Sequence, residues 1–150
     1  NIAVDVQKDA VAGRIYLPIE RLAEYGVTPE DVLSGAPSAR AIQRVTYDIL
    51  KIAERYYRSA DQGMRFVPPR NRRAIVTGAR LYRALGRKLA RYGYNPFHGP
   101  TRLSVWGRAY WIVRSILALG SASLRGKSLY APHNQWLHRR LDGFPGANAR

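Results

Sequence analysis

The chain contains no cysteine, which excludes a disulfide framework and a thiolate zinc centre and leaves a reducing compartment open to it. Its three histidines, at positions 98, 133 and 138, are too scattered to suggest a metal cluster. No run approaches the ~20 apolar residues of a membrane span, because the longest apolar stretch, residues 109–119, is broken by Arg114. There is no signal-peptide pattern at the start and no initiator methionine, so the chain reads as the C-terminal part of a longer, cytoplasmic protein. No stretch alternates as a strand must, and neither a repeat nor a heptad array is present. Acid is scarce in one half only. Residues 1–61 hold nine acidic and eight basic side chains, whereas residues 62–150 hold one acidic and seventeen basic, within a net charge of +15.

What is present is helical periodicity. Ile42, Val45, Ile49, Ile52, Ala53, Tyr56 and Ala60 step by three and four, predicting one apolar face over about five turns. Ser38 after Pro37 is placed as its N-cap and Gly63 as its stop. Beyond Pro68-Pro69, the positions Ile75, Ala79, Tyr82, Leu85, Leu89 and Tyr92 predict a second helix ending near Gly93, and the two suit an antiparallel hairpin. Thr28-Pro29-Glu30-Asp31 has the cap, first-turn proline and early acids of a short helix closed near Gly35. A third long helix is expected over about residues 102–119, after the Asn95-Pro96 and Gly99-Pro100 turns, and a short one around 134–141. Trp106 and Trp111 are expected in the core. The fold class is all-α, a helix bundle over residues 1–121, followed by a tail, 122–150, whose end from 142 reads as disordered.

The most informative spacing is at the start. Asn1, Asp5 and Asp9 recur every fourth residue, and a helix there sets successive side chains on one face about 6 Å apart along the axis. Two carboxylates on one stripe repel each other, and a divalent cation such as Mg²⁺ relieves that repulsion through hard oxygen ligands. The plainer reading is a solvated helix start, where acids are favoured by the macrodipole.

Asn1-Ile2-Ala3-Val4-Asp5-Val6-Gln7-Lys8-Asp9-Ala10, with Gly13-Arg14-Ile15-Tyr16-Leu17-Pro18 after it, resembles the second aspartate-rich motif and following loop of the squalene and phytoene synthase family. Tyr56-Tyr57-Arg58-Ser59-Ala60-Asp61-Gln62-Gly63-Met64, Val67-Pro68-Pro69-Arg70 and Ala79-Arg80-Leu81-Tyr82-Arg83 are most similar to the bacterial phytoene-synthase branch. The likeness runs from residue 1 to about 118. It implies the isoprenoid-synthase helix bundle, of which this is the C-terminal portion. It also implies head-to-head joining of two prenyl diphosphates, geranylgeranyl diphosphate to phytoene by way of a cyclopropyl diphosphate in carotenoid biosynthesis, with a squalene- or dehydrosqualene-type product as the alternative. On the same basis Asp5 and Asp9, with Asn1 beside them, are metal ligands for Mg²⁺, or Mn²⁺ in its place. Arg14, Tyr16 and Arg102 face substrate diphosphate, and Tyr16 is the catalytic candidate. No nicotinamide cofactor is expected. Val4 departs from the family, which commonly has a basic residue before the first aspartate. The first aspartate-rich motif is absent from these 150 residues, so this chain alone is expected to be inactive.

Two other readings rest on the basic half. Arg73, Arg80, Arg83, Arg87 and Arg91 share a helix face that suits nucleic acid, although no recognised nucleic-acid motif accompanies them. Alternatively, the basic half and the apolar 103–119 segment suit peripheral contact with an anionic, inner membrane surface, which is compatible with the synthase reading.

Overall fold

The computed structural model of the chain describes residues 1–35, 38–124 and 134–144, without the side chains of 39, 65, 118–124 and 135. Among the described residues six α-helices follow one another: α1 Val6–Val11, α2 Ile19–Glu24, α3 Pro29–Leu33, α4 Ala39–Gly63, α5 Pro69–Arg91 and α6 Val105–Leu124. Two 3₁₀ turns, Met64–Phe66 and Gln135–Leu141, complete the set. No strand occurs among the described residues, and no helix there is long and apolar enough to cross a membrane.

The three short helices and the start of α4 share one core. Val6 and Ala10 of α1, Leu22 of α2, Val32 of α3 and Ile42 and Val45 of α4 are all buried, with Leu17 and Val27 from the connecting loops. Local chemistry holds these pieces at their ends. Thr28 caps α3 as the spacing predicts: its Oγ1 accepts from the Asp31 N–H at 3.1 Å, and the Asp31 carboxylate accepts from the Thr28 N–H at 2.8 Å. Hydrogen bonding from the Thr28 backbone, then from its side chain, holds the Asp31 pKa below the ordinary aspartate value. Tyr25, just past α2, donates to the Asp48 carboxylate of α4 at 2.7 Å, and that bond, together with burial, raises the phenol pKa.

α4 and α5, roughly 37 and 34 Å long at 1.5 Å per residue, form the expected helix pair. One boundary expectation needs correction and the other is met. Ser38 stands at the N-cap position of α4 but its hydroxyl caps nothing. Gly63 stays right-handed, and the chain passes on through the 3₁₀ turn to Val67, which is extended, because the residue before a proline is driven out of the helical region. α4 itself ends at Gly63, as expected, and Pro68 keeps the 3₁₀ turn from resuming it. α5 then opens on Pro69 and ends at Arg91, with Gly93 two residues on at a φ of +66°, a left-handed conformation suited to glycine.

α6 packs along α5 and begins at Val105, three residues later than expected, because Ser104 Oγ accepts from the Gly107 N–H at 3.0 Å and caps it. It continues to Leu124, so the expected domain limit at residue 121 falls inside a helix. Trp111 is half-buried against α5, whereas Trp106 is 85% exposed, contrary to its expected place in the core. The expected helix at 134–141 is a 3₁₀ segment lying on α4: the Asn134 N–H donates to Ser59 Oγ at 3.1 Å, the Tyr56 hydroxyl donates to the Leu137 carbonyl at 3.3 Å, and Arg55 stacks on Trp136. His133, Pro37 and the end of the tail from residue 145 lie outside the described residues.

Candidate active site

Residues 1–5 form turns ahead of α1, so the expected helix covers only Asp9 of the three, although backbone bonds still link the positions four apart. The Asn1 carbonyl accepts from the Val4 and Asp5 N–H groups at 2.9 and 3.0 Å, and the Asp5 carbonyl accepts from the Asp9 N–H at 2.8 Å. Asn1, Asp5 and Asp9 are therefore linked in series by backbone bonds between residues four apart, with Asp9 alone inside α1. Asp5 occupies the N-cap position of α1, yet its carboxylate makes no capping bond and has no partner among the described residues. The solvated-cap explanation of Asp5 thus lacks the bond it needs.

Gly13 shapes the next part. Its φ of +69° turns the chain back so that the Arg14 N–H donates to the Asp9 carbonyl at 2.8 Å. The Arg14 guanidinium then stands 4.0 Å from the Asp9 carboxylate, which is 15% exposed, while Arg14 itself is 57% exposed. At that length the pair is a loose contact, and the guanidinium is free to turn to another anion. Asp9, Arg14 and Tyr16 meet around one closed crevice with Ile2, Val6 and Leu17, too tight for a water molecule. Asn1 and Val4 lie on the rim of a different and larger space. Arg102 is not brought to this group. It is exposed in the loop before α6, where its carbonyl accepts from Lys88 Nζ at 2.6 Å.

The larger space is a cavity of about 500 Å³ between α4 and α5, within the ~300–1,000 Å³ range of small-molecule sites. Tyr47, Tyr57, Tyr82 and Tyr94 supply aromatic wall, and Ala53, Gly86 and Ala90 open its bore. A Cβ on Gly86 would stand 3.1 Å from Leu50 Cδ2, so the two helices approach closely there. Tyr94 is held at φ +62°, uncommon for a side-chain-bearing residue, with its ring edge-to-face on Tyr47 at 5.1 Å.

One side of this cavity is charged. Arg83 donates through Nε and Nη2 to both oxygens of Glu54, the first at 2.8 Å, and through Nη1 to Asp61 at 3.1 Å. The Arg83 fork holds the Glu54 carboxyl below its ordinary pKa, and Glu54 in turn raises Arg83. Burial raises the Tyr57 hydroxyl, beneath the same guanidinium. Sequence reasoning missed this constellation. Glu54 and Arg83 both lie off the apolar faces predicted for their helices, so only the pairing of the two helices reveals them.

Among the described residues no three His, Asp or Glu side chains converge on a point that could hold a metal ion. The stripe nonetheless offers hard oxygen donors of the kind Mg²⁺ takes: one unpartnered carboxylate and one held only at 4.0 Å. It fits a shared site to which other groups contribute.

Residues 1–109 match the squalene/phytoene synthase family. The chain belongs to that family. Among curated relatives, the 15-cis-phytoene synthase of Enterobacter agglomerans is 43% identical over 93 residues, covering 62% of this chain and 31% of that protein. The phytoene synthase of Rhodobacter capsulatus is 34% identical over 113 residues, 75% of this chain and 33% of its own length. That of Cereibacter sphaeroides is 34% identical over 140 residues, 92% of this chain and 37% of its own. The chain thus spans about a third of the length of the relatives it matches. No solved structure matches it. The squalene/phytoene synthase match contains the whole stripe, the Arg14–Tyr16 loop, both cavity helices and Arg102, and it ends within the first turns of α6.

Proposed function

We propose that this chain contributes one wall of the active site of a head-to-head prenyl synthase, joining two molecules of geranylgeranyl diphosphate into phytoene in carotenoid biosynthesis. The observation that carries this reading is the placement of the Asn1–Asp5–Asp9 stripe so that its first residue opens onto a 500 Å³ cavity with aromatic and small-residue walls. A charged head and two long apolar tails need that combination. Membership of the squalene/phytoene synthase family, and the names of the relatives above, support it.

Asp5 and Asp9, with the Asn1 amide beside them, would hold a divalent cation, Mg²⁺ first and Mn²⁺ in its place. When bound, that cation neutralises charge developing on the departing diphosphate. Arg14 turns its fork from Asp9 to diphosphate oxygens and keeps two donors on them. Tyr16, half-exposed at the same crevice, donates its O–H to the leaving group as negative charge builds, and is the catalytic candidate. Arg102 is assigned to diphosphate by the resemblance alone. The apolar cavity wall keeps water from the carbon left electron-poor. Arg83 pairs with Glu54 and Asp61 and Arg87 lies over Trp111, which supports the synthase reading over a nucleic-acid one.

The test is the lipid product of the complete reading frame incubated with Mg²⁺ and geranylgeranyl or farnesyl diphosphate, read by mass spectrometry. A C40 hydrocarbon is expected. A C30 product would move the protein to the squalene-type branch, and no product from either substrate would overturn the reading. The 150-residue chain by itself is expected to show no turnover, because its stripe supplies only two carboxylates.

A further inference from the structure

Gly86 stands in the interior of α5 and is buried. Glycine weakens a helix interior relative to alanine, and the backbone here is ordinary right-handed helix, so no left-handed turn requires it. What requires it is space. Beyond its own stretch of helix, a Cβ built on Gly86 would meet one atom within 4 Å, Leu50 Cδ2 of α4 at 3.1 Å. The rest of its surroundings is the cavity of about 500 Å³ that both residues line. Any side chain at position 86 would therefore occupy the bore itself.

Three contacts across the helix pair fix where Gly86 lies along the cavity. Tyr47 meets Tyr94 edge-to-face at 5.1 Å, Leu50 faces Gly86, and Glu54 accepts from Arg83 Nε at 2.8 Å. They are successive rungs of an antiparallel pair, and all of these residues line the cavity. α1 shares its core with Ile42 and Val45, just before Tyr47 in α4, and Asn1 and Val4 lie on the cavity rim. The Asn1–Asp5–Asp9 stripe therefore belongs to the Tyr47–Tyr94 end. Arg83, its charge answered by Glu54 and Asp61 and its guanidinium over the Tyr57 ring, closes the other end. Lys51, Arg58 and Arg87 also border the cavity but are exposed, which leaves their charged ends in solvent.

A prenyl diphosphate held by its head at the stripe end runs its tail past the Leu50–Gly86 rung. From Leu50 to Glu54 is one further turn of α4, about 6 Å along the axis. One prenyl unit adds four chain bonds of about 1.5 Å each, which span about 5 Å as a zigzag. The stretch beyond Gly86 thus matches a single prenyl unit, the difference between a C15 and a C20 tail. We infer that Gly86 is a specificity-determining position for tail length: without a side chain it leaves the bore open beyond Leu50, and a side chain there shortens the tail that the cavity takes by about one prenyl unit. The inference rests on the prenyl-synthase reading and adds to it the residue that selects the substrate.

The experiment measures kcat/KM of the complete reading frame, with Mg²⁺, for geranylgeranyl and for farnesyl diphosphate, and identifies the products by mass spectrometry. Gly86→Ala adds one carbon to the bore and is expected to lower the preference for geranylgeranyl over farnesyl diphosphate about tenfold or more, the discrimination that one methylene achieves in an apolar pocket. Gly86→Leu is expected to lower it further and to move the product from C40 toward C30. Leu50→Ala in the Gly86→Ala background removes the atom that the new Cβ meets, and is expected to restore part of the preference. A general packing fault would instead lower kcat/KM for both substrates alike. That result in Gly86→Ala, or an unchanged ratio there beside an active parent, would overturn the inference and leave the synthase reading standing. A parent that turns over neither substrate would overturn that reading, and this inference with it.

Discussion

Asp5 is half-buried, unpartnered and one helical turn from Asp9, so neutralising either carboxylate should change chemistry far more than stability. Asp5→Asn and Asp9→Asn in the complete reading frame are expected to lower kcat by at least ~100-fold, while the unfolding free energy moves by no more than about 0.5 kcal/mol. Steady-state kinetics beside denaturant titration checks both halves of that statement. Tyr16→Phe removes one hydroxyl at the crevice and is expected to lower kcat with little change in KM, the signature of an interaction made in the transition state. At this scale the sequence was informative where spacing sets contact: Asn1, Asp5 and Asp9 are linked by backbone bonds between residues four apart. It was uninformative about Arg102, because a loop arginine has no periodicity from which its neighbours follow.

At the scale of elements, the α4–α5 pair is held on its charged side by Arg83 between Glu54 and Asp61. Glu54 has a folded pKa below its unfolded value of about 4.3. Its contribution is therefore present in full above that value and is lost as pH falls through the depressed folded value. Thermal unfolding of the parent should show a steeper fall in stability on acidification below about pH 4.3 than that of Glu54→Gln, and parallel curves would remove the clamp from the account. Thr28→Ala deletes the α3 cap and is expected to cost roughly 0.5–2 kcal/mol, read from the shift in a urea midpoint. Helix positions were legible because periods of three and four marked apolar faces over many turns. Ends were less so. Ser38 holds the N-cap position of α4 without a capping bond, Ser104 set the start of α6, and α2, only six residues long behind Pro18, was too short to show a period at all.

For the molecule as a whole, the apolar faces predicted for α4 and α5 are only partly used. Ile42, Val45 and Leu89 are buried, yet Ile52, Tyr56, Ile75 and Tyr82 stay substantially exposed, so the helix pair presents an open apolar side beside the cavity. With a chain that spans about a third of its relatives' length, turnover by the 150-residue chain alone would show that two carboxylates suffice, and none is expected. The sequence by itself determined the helical class and the family, because each depends on residues close together in the chain, where helix geometry converts spacing directly into position. Tertiary structure alone decided which faces meet. It joined Glu54 to Arg83 across 29 positions, brought Asn1 to the rim of the α4–α5 cavity, left Arg102 apart from the stripe, and turned Trp106 outward. Such pairings depend on how whole helix faces are shared out among neighbours, a competition that no local spacing records.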